Sequence, residues 1–106
     1  MRILLGLLIL ALPVLATASG LSAARRAELT NLLHQDCGSC HGSRLTGGLG
    51  PALTSTALAG MNTAKVARII ANGRPGTPMP PWKPLLSSDE IQWLAQRLLS
   101  GKEDPK

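Results

Sequence analysis

The sequence predicts a small all-α domain with long structured loops. A length of 106 residues allows one domain at most. Three segments place apolar residues at helical spacing, and no segment alternates apolar and polar residues long enough to form a strand. The stretches between the predicted helices are rich in Gly and Pro, and loops of this length need something to wrap around.

The first 18 residues read as a secretory signal peptide. Arg2 provides the positive end, an apolar run follows from Ile3 to Ala16, and Ala16-Thr17-Ala18 is a small-x-small cleavage site. A membrane-spanning helix needs roughly 20 apolar residues, more than this run contains. We therefore predict a cleaved signal and a single mature domain over residues 19–106, with a retained anchor as the less favoured alternative.

The mature domain is predicted to contain three helices. The first runs from Ser22, a plausible N-cap, to about Asp36. The second begins near Asn62 or Thr63 and ends at Asn72, where Gly73 is expected to supply a left-handed cap.

The third helix has the clearest start signal. Ser87-x-x-Glu90 is a capping box, and Gly101 is expected to end the helix. The residues beyond Gly101 are expected to form a frayed tail.

The motif with chemical meaning is Cys37-Gly38-Ser39-Cys40-His41. Two thiols at this spacing can each add to a vinyl group of one haem, and the adjacent His can then bind the iron axially. A signal peptide in front of the motif strengthens this interpretation, because haem is attached to such motifs outside the cytoplasm.

Three other interpretations of the motif are weaker. A thioredoxin-like redox pair would need a βαβ pattern around it, which the sequence lacks. A disulfide would close a very short loop and stabilise little. A zinc site built from His34, Cys37, Cys40 and His41 would lack the usual paired spacing.

Met79 is the predicted sixth ligand of the haem iron. It lies in a loop with Pro on both sides, and a rigid loop reduces the entropy that ligation costs. Met61, near a helix start and without such a loop, is more plausible as a core residue. His34 lies one helical turn before the motif and is interpreted as an ordinary helix residue.

These residues resemble the class I cytochromes c over essentially the whole mature chain. The fold implied is three main helices and long loops around one covalently bound haem. The segment Leu49-Gly50-Pro51-Ala52-Leu53 resembles the family's Gly-Pro-x-Leu segment, which implies that the Pro51 carbonyl accepts a hydrogen bond from His41. Trp93 resembles the aromatic residue of the family's C-terminal helix, which packs against the N-terminal helix. At the partner positions this chain has Leu29 and Leu33, where relatives commonly have a Gly and an aromatic residue.

A narrower resemblance is to the cytochrome c-55X subfamily. It is carried above all by the run from Gly73 to Trp82, Gly-Arg-Pro-Gly-Thr-Pro-Met-Pro-Pro-Trp. The resemblance implies a periplasmic one-electron carrier of denitrification whose partner is cytochrome cd1 nitrite reductase. The alternative is a maturation partner in making or inserting the haem d1 of that enzyme. A third interpretation is a peroxidase-like or ligand-binding haem protein in which Met79 does not bind the iron.

The charge distribution predicts an acidic partner. No acidic residue lies between Asp36 and Asp89, and this stretch carries five basic residues: Arg44, Lys65, Arg68, Arg74 and Lys83. Arg74 and Trp82 are candidates for hydrogen bonds to a haem propionate. No side-chain arrangement supports acid–base catalysis, so we expect a monomeric electron-transfer protein without an activity of its own. The compartment argues against nucleic acid as a partner.

The composition has a related consequence. The chain is 44% hydrophobic but only 2% aromatic, with two Trp and no Phe or Tyr, although aromatic rings usually dominate small cores. We predict that one covalent haem replaces the missing rings and that the chain is largely unfolded without it. The candidates for packing around or near the haem are Leu32, Leu33, Leu49, Leu53, Ile69, Ile70 and Leu94.

Overall fold

Residues 20–106, which the computed structural model describes, form α-helices joined by loops, with no strand among them. The predicted signal peptide lies outside the described residues. The elements are α1 (Ala23–Leu32), a π-helical turn (Leu33–Cys37), α2 (Gly38–His41), α3 (Thr63–Asn72) and α4 (Ser88–Leu99). The predicted all-α class is confirmed.

The first helical segment begins as predicted but extends further. Ser22 caps α1, because its side-chain oxygen accepts a hydrogen bond of 3.0 Å from the backbone N–H of Arg25. The predicted end near Asp36 is wrong, since the backbone stays helical through the π-turn and α2 to His41. A π-turn inserts an extra residue and rotates the helix face that follows it. The turn therefore sets the direction in which the Cys37–His41 motif points.

Helix α3 ends at Asn72 as predicted, but the conformation of Gly73 differs from the predicted left-handed cap. Asn62 caps its start by accepting a 2.8 Å hydrogen bond from the N–H of Lys65. Gly73 ends it with φ +68° and ψ −169°, which is outside the left-handed helical region. This conformation is essentially restricted to glycine, and it leads the chain away from the helix axis instead of closing a left-handed cap.

The capping box of α4 is confirmed. The N–H of Glu90 donates to the Ser87 hydroxyl at 3.2 Å, and the N–H of Ser87 donates to the Glu90 carboxylate at 3.0 Å. The same carboxylate pairs with the Arg25 guanidinium and so joins α4 to α1.

The core lies where α1, α4 and the loops meet. Helix α3 packs against α4, and α1 also contacts α4. The core cluster consists of Leu29, Leu33, Leu45, Leu58, Leu86, Ile91, Leu94 and Leu98. Leu45, Leu58 and Leu86 come from loops and carry no helical periodicity. Trp93 is half-buried at the edge of the core, and the Arg97 guanidinium lies 5.6 Å from its ring centre.

The C-terminal segment is attached to the domain, so the expectation of a frayed tail is wrong. Glu103 accepts hydrogen bonds from Arg97 at 2.5 Å and from His34 at 2.6 Å. Asp104 accepts from the N–H of Ser55 at 2.9 Å. These carboxylates find donors on three different elements, contacts that a local sequence pattern cannot reveal. Within residues 20–106, none of the helices has the length and apolar character needed to cross a membrane.

Candidate functional site

The two cysteines lie at the ends of one helical turn. Cys37 closes the π-turn and is half-buried, while Cys40 in α2 is exposed, and both are free thiols. Burial raises the pKa of the Cys37 thiol to about 11, and the carboxylate of Asp36 adds to this effect. Cys37 is therefore a protonated thiol at neutral pH. The nucleophilic cysteine of a redox pair has a lowered pKa, so Cys37 does not have the environment of such a nucleophile.

The ring of His41 is held by one hydrogen bond. Its Nδ1 lies 2.6 Å from the carbonyl oxygen of Pro51. A carbonyl oxygen can only accept, so Nδ1 carries the proton and donates it. In the neutral ring this leaves the lone pair on Nε2, which is the nitrogen that can then bind a metal ion.

The loop that supplies Pro51 is fixed to the motif itself. The N–H of Gly47 donates to the carbonyl of His41, and the N–H of Gly50 donates to the carbonyl of Cys40, both at 2.8 Å. These amides satisfy carbonyl groups that the end of α2 would leave unpaired. The loop is therefore held against the motif by backbone hydrogen bonds.

Gly50 allows the His41 ring to lie against this loop. A Cβ atom at Gly50 would lie 2.9 Å from both Cε1 and Nδ1 of His41. That separation is below any normal van der Waals contact, so only glycine fits here. Gly50 belongs to the Gly-Pro-x-Leu segment noted in the sequence, but its contact with the His41 ring is visible only in the structure.

The Met79 loop is fixed to α3 instead. The N–H groups of Trp82 and Lys83 donate to the carbonyls of Ile70 and Ala71 at 3.0 and 3.1 Å, at the end of α3. Within the loop, the N–H of Arg74 donates to the Met79 carbonyl at 3.2 Å. The Met79 side chain is half-buried.

Gly73 permits this return of the chain. A Cβ at Gly73 would lie 2.6 Å from the Met79 carbonyl oxygen. The residue that ends α3 therefore also determines how closely the Met79 backbone approaches the helix.

The structure thus brings the predicted site residues together in two groups. Cys37, Cys40, His41 and Pro51 form one group around α2, and Arg74, Met79 and Trp82 lie in the loop after α3. Among the described residues, no hydrogen bond links the two groups. Arg74 is exposed and Trp82 is half-buried, and their propionate contacts stay predictions.

The apolar residues that were predicted to pack around or near the haem differ in how far they are buried. Leu33 and Leu94 belong to the core of the protein, whereas Leu49 is 96% exposed. Leu49 stands between Gly48 and Gly50 in the loop that turns back on α2, so its side chain points away from the core. The other four candidates are half-buried: Leu32, Leu53, Ile69 and Ile70.

The ring of His34 makes its hydrogen bonds outside the Cys37–His41 motif. Both of its ring nitrogens are directed to other acceptors, Ser43 and Glu103. Over residues 20–106, no three His, Cys, Asp or Glu side chains are grouped so as to hold a metal ion.

The basic residues of the predicted docking surface are all exposed. None of the five forms an ion pair with another described residue. Their charges are therefore available to an external partner.

Comparison with known proteins identifies the family. A family model described as cytochrome C oxidase, cbb3-type, subunit III matches residues 24–96. A cytochrome c55X of Pseudomonas aeruginosa is 57% identical over 83 residues, covering 78% of this chain and 70% of that protein. A cytochrome c55X of Paracoccus denitrificans is 50% identical over 100 residues, covering 94% of this chain and 97% of that protein.

Two solved structures are also similar. The c-type cytochrome NirC has a TM-score of 0.77 and 55% identity, covering 80% of this chain and 100% of that one. Dihydro-heme d1 dehydrogenase NirN in complex with DHE has a TM-score of 0.62 and 31% identity, covering 66% of this chain and 15% of that one.

The chain therefore belongs to the c-type cytochromes and, within them, to the cytochrome c55X group. This membership implies covalently bound haem c. The residues present fit that group, because two free thiols precede a histidine whose Nε2 lone pair is available.

Proposed function

We propose that the chain is a periplasmic monohaem cytochrome that carries single electrons in denitrification, with cytochrome cd1 nitrite reductase as its acceptor. The observation that supports this most directly is the His41–Pro51 hydrogen bond beside two free thiols. Export by the N-terminal signal segment would place the chain where haem attachment to Cys-x-x-Cys-His takes place. We expect no substrate turnover by the chain alone.

The roles of the site residues follow from their chemistry. Cys37 and Cys40 would hold haem c through thioether bonds, and His41 and Met79 would be the ligands of its iron. When bound, haem c supplies a one-electron couple between ferrous and ferric iron. Pro51 keeps the proton on Nδ1 of His41, and Arg74 and Trp82 are the candidate donors to the propionates.

The axial assignment is tested by two methionine variants. In Met79→Ala, the weak absorption band that marks methionine bound to ferric haem should disappear. Met61→Ala is the matched control and should keep the band, because Met61 packs against the core cluster. Optical spectra of both purified ferric proteins provide the measurement. A band lost in Met61→Ala and kept in Met79→Ala would overturn the assignment.

The acceptor is proposed to dock on the basic surface formed by Arg44, Lys65, Arg68, Arg74 and Lys83. Complementary charge mainly raises the rate of encounter, and salt screens it over about 10 Å at 0.1 M. The electron-transfer rate with nitrite reductase, followed by stopped flow, should therefore fall steeply as ionic strength rises. A rate that does not depend on salt would contradict docking by charge.

A second candidate function is a role in haem d1 maturation. It is favoured by the resemblance to part of a protein named dihydro-heme d1 dehydrogenase NirN. A dehydrogenation removes two electrons and two protons from its substrate, so a one-electron carrier could accept the electrons in two steps. The same haem and basic surface would serve this role.

One kinetic comparison separates the two functions. The ferrous protein is mixed with purified nitrite reductase, and the ferric protein is mixed with a dihydro-haem d1 dehydrogenase during turnover. Fast oxidation in the first mixture supports the carrier role. Reduction in the second mixture alone would favour maturation.

A further inference from the structure

A charged pair outside the proposed ligand set connects three parts of the chain. His34 lies in the π-turn, and its Nε2 is 2.6 Å from Oε2 of Glu103 in the C-terminal segment. Its Nδ1 is 3.2 Å from the carbonyl oxygen of Ser43, two residues beyond His41. The ring therefore bridges the helical turn that enters the Cys37–His41 motif and the loop that leaves it.

Both acceptors require a proton from the ring. The carbonyl of Ser43 can only accept. Glu103 accepts an N–H of Arg97 at Oε1, at 2.5 Å. Burial opposes ionisation of Glu103, but the hydrogen bonds from His34 and Arg97 outweigh it and hold the pKa of this carboxyl below its ordinary value of 4.5. Glu103 is thus a carboxylate, which accepts at Oε2.

A neutral imidazole cannot satisfy this geometry. It has one N–H, so one ring nitrogen would direct its lone pair at an oxygen lone pair. The imidazolium form donates to both acceptors. The hydrogen bonds to Glu103 and then to Ser43 raise the pKa of His34 above its ordinary value of 6.5, against the effect of burial.

The surroundings of the ring carry charges of both signs. The other charged groups on the elements around it are Asp36, Arg44, Arg97, Lys102 and Asp104. Arg44 and Lys102 line the same recess, and their charges oppose a positive ring. The carboxylate of Asp104 accepts its hydrogen bonds from Ser55 and not from His34. The carboxylate in hydrogen-bond contact with His34 is therefore Glu103, whose side chain is only 7% exposed.

Ser43 lies where the loop after the motif packs against α2. A Cβ on Gly38, inside the motif, would lie 3.3 Å from the Ser43 Cα, so the loop packs directly on α2 at this point. The same loop continues to Gly47, Gly50 and Pro51, which bond to the motif. His34 therefore holds the start of the loop, and Pro51 holds its end.

We propose that His34, as an imidazolium, and Glu103 form a positioning pair that fixes the backbone after the Cys37–His41 motif, and that loss of the His34 proton releases this backbone. The pair acts on the haem-attachment motif of the proposed function and binds nothing itself. As the pH rises through the pKa of His34, one of the two hydrogen bonds of the ring is lost.

The test is an NMR pH titration of the ferrous holoprotein labelled with ¹⁵N. Both ring nitrogens of His34 should be protonated at pH 6, with an inflection above pH 6.5. The amide signals of residues 43–47 should shift with the same inflection. In Glu103→Gln the inflection should move to lower pH, because the negative partner is gone.

Two further variants complete the test. His34→Asn keeps an N–H donor for Ser43 but cannot titrate, so the loop signals should lose the inflection. Lys102→Gln removes a charge from the same recess without touching the pair, and it should keep the inflection. A single neutral tautomer of His34 at pH 6, or a loop inflection that survives in His34→Asn, would overturn the proposal.

Failure of the positioning pair and failure of the proposed function give different results. Wild-type protein without haem absorption bands would contradict the function. Failure of the His34 titration in a protein with normal haem bands would contradict only the positioning pair.

Discussion

At the scale of single residues, the contact between Gly50 and His41 determines how the site is built. The imidazole lies where any Cβ on residue 50 would have to be. Its Nδ1 meets the carbonyl of the very next residue, Pro51. A single dipeptide thus provides both the space for the ring and the acceptor that orients it.

Substitution of Gly50 should therefore disturb His41 specifically. Gly50→Ala places a Cβ 2.9 Å from the ring, so the ring must shift and its bond to Pro51 must weaken. We expect a loss of about 1–3 kcal/mol in the free energy of unfolding, as for other overpacked sites. Denaturant unfolding measures this loss, and NMR of the His41 ring should show a changed environment.

Gly60→Ala is the control for this substitution. Gly60 has φ +88° and nothing within 4 Å of a built Cβ, so alanine there meets backbone strain without a steric clash. It should lower stability but leave the His41 signals unchanged. Equal changes at His41 in both variants would show that the contact with Gly50 has no specific role.

At the scale of elements, α4 is stabilised by its own start signal. The side chain of Ser87 accepts a hydrogen bond from the backbone N–H of Glu90, and the side chain of Glu90 accepts one from the backbone N–H of Ser87. The Glu90 carboxylate also forms an ion pair with Arg25 of α1. Because α4 provides Ile91, Leu94 and Leu98 to the core, its first turn affects the packing of the whole domain.

Removal of the cap should have a measurable cost. Ser87→Ala leaves the N–H of Glu90 without its acceptor, and we expect a loss of about 1 kcal/mol in the free energy of unfolding. Ser88→Ala, at the exposed first residue of the helix, should change stability by less than about 0.5 kcal/mol. Chemical denaturation of the two variants side by side provides the comparison. Equal losses would contradict the capping role.

At the scale of the whole molecule, the core is small and aliphatic. Its eight clustered residues are seven Leu and one Ile, and both Trp lie at its edge. Among residues 20–106, two large apolar side chains are exposed, Leu49 at 96% and Leu85 at 72%. Such a core leaves a domain of this size marginally stable by burial alone.

We therefore expect folding to depend on haem attachment. A Cys37→Ala/Cys40→Ala double variant cannot form the thioether bonds, and it should have low helical content and melt without a cooperative transition. Far-UV circular dichroism during heating, with the wild-type holoprotein as the control, provides the measurement. A compact variant that melts cooperatively would contradict this dependence.

Local patterns determined most of the architecture. The caps at Ser22, Asn62 and Ser87, the helical spacing and the Cys37–His41 motif all depend on residues within a few positions of each other. Helix starts and covalent attachment motifs are encoded in this way, so they could be predicted without a structure.

Only the tertiary structure decided the features that depend on distant contacts. The contact of Gly73 with Met79 and the hydrogen bond between His34 and Glu103 join residues that local patterns do not relate. The loop leucines Leu45 and Leu58 entered the core without any periodicity to mark them. The sequence by itself predicted which residues bind a haem, whereas the packing of loops onto helices decided how those side chains are held and which ring nitrogen of His41 faces the Pro51 carbonyl.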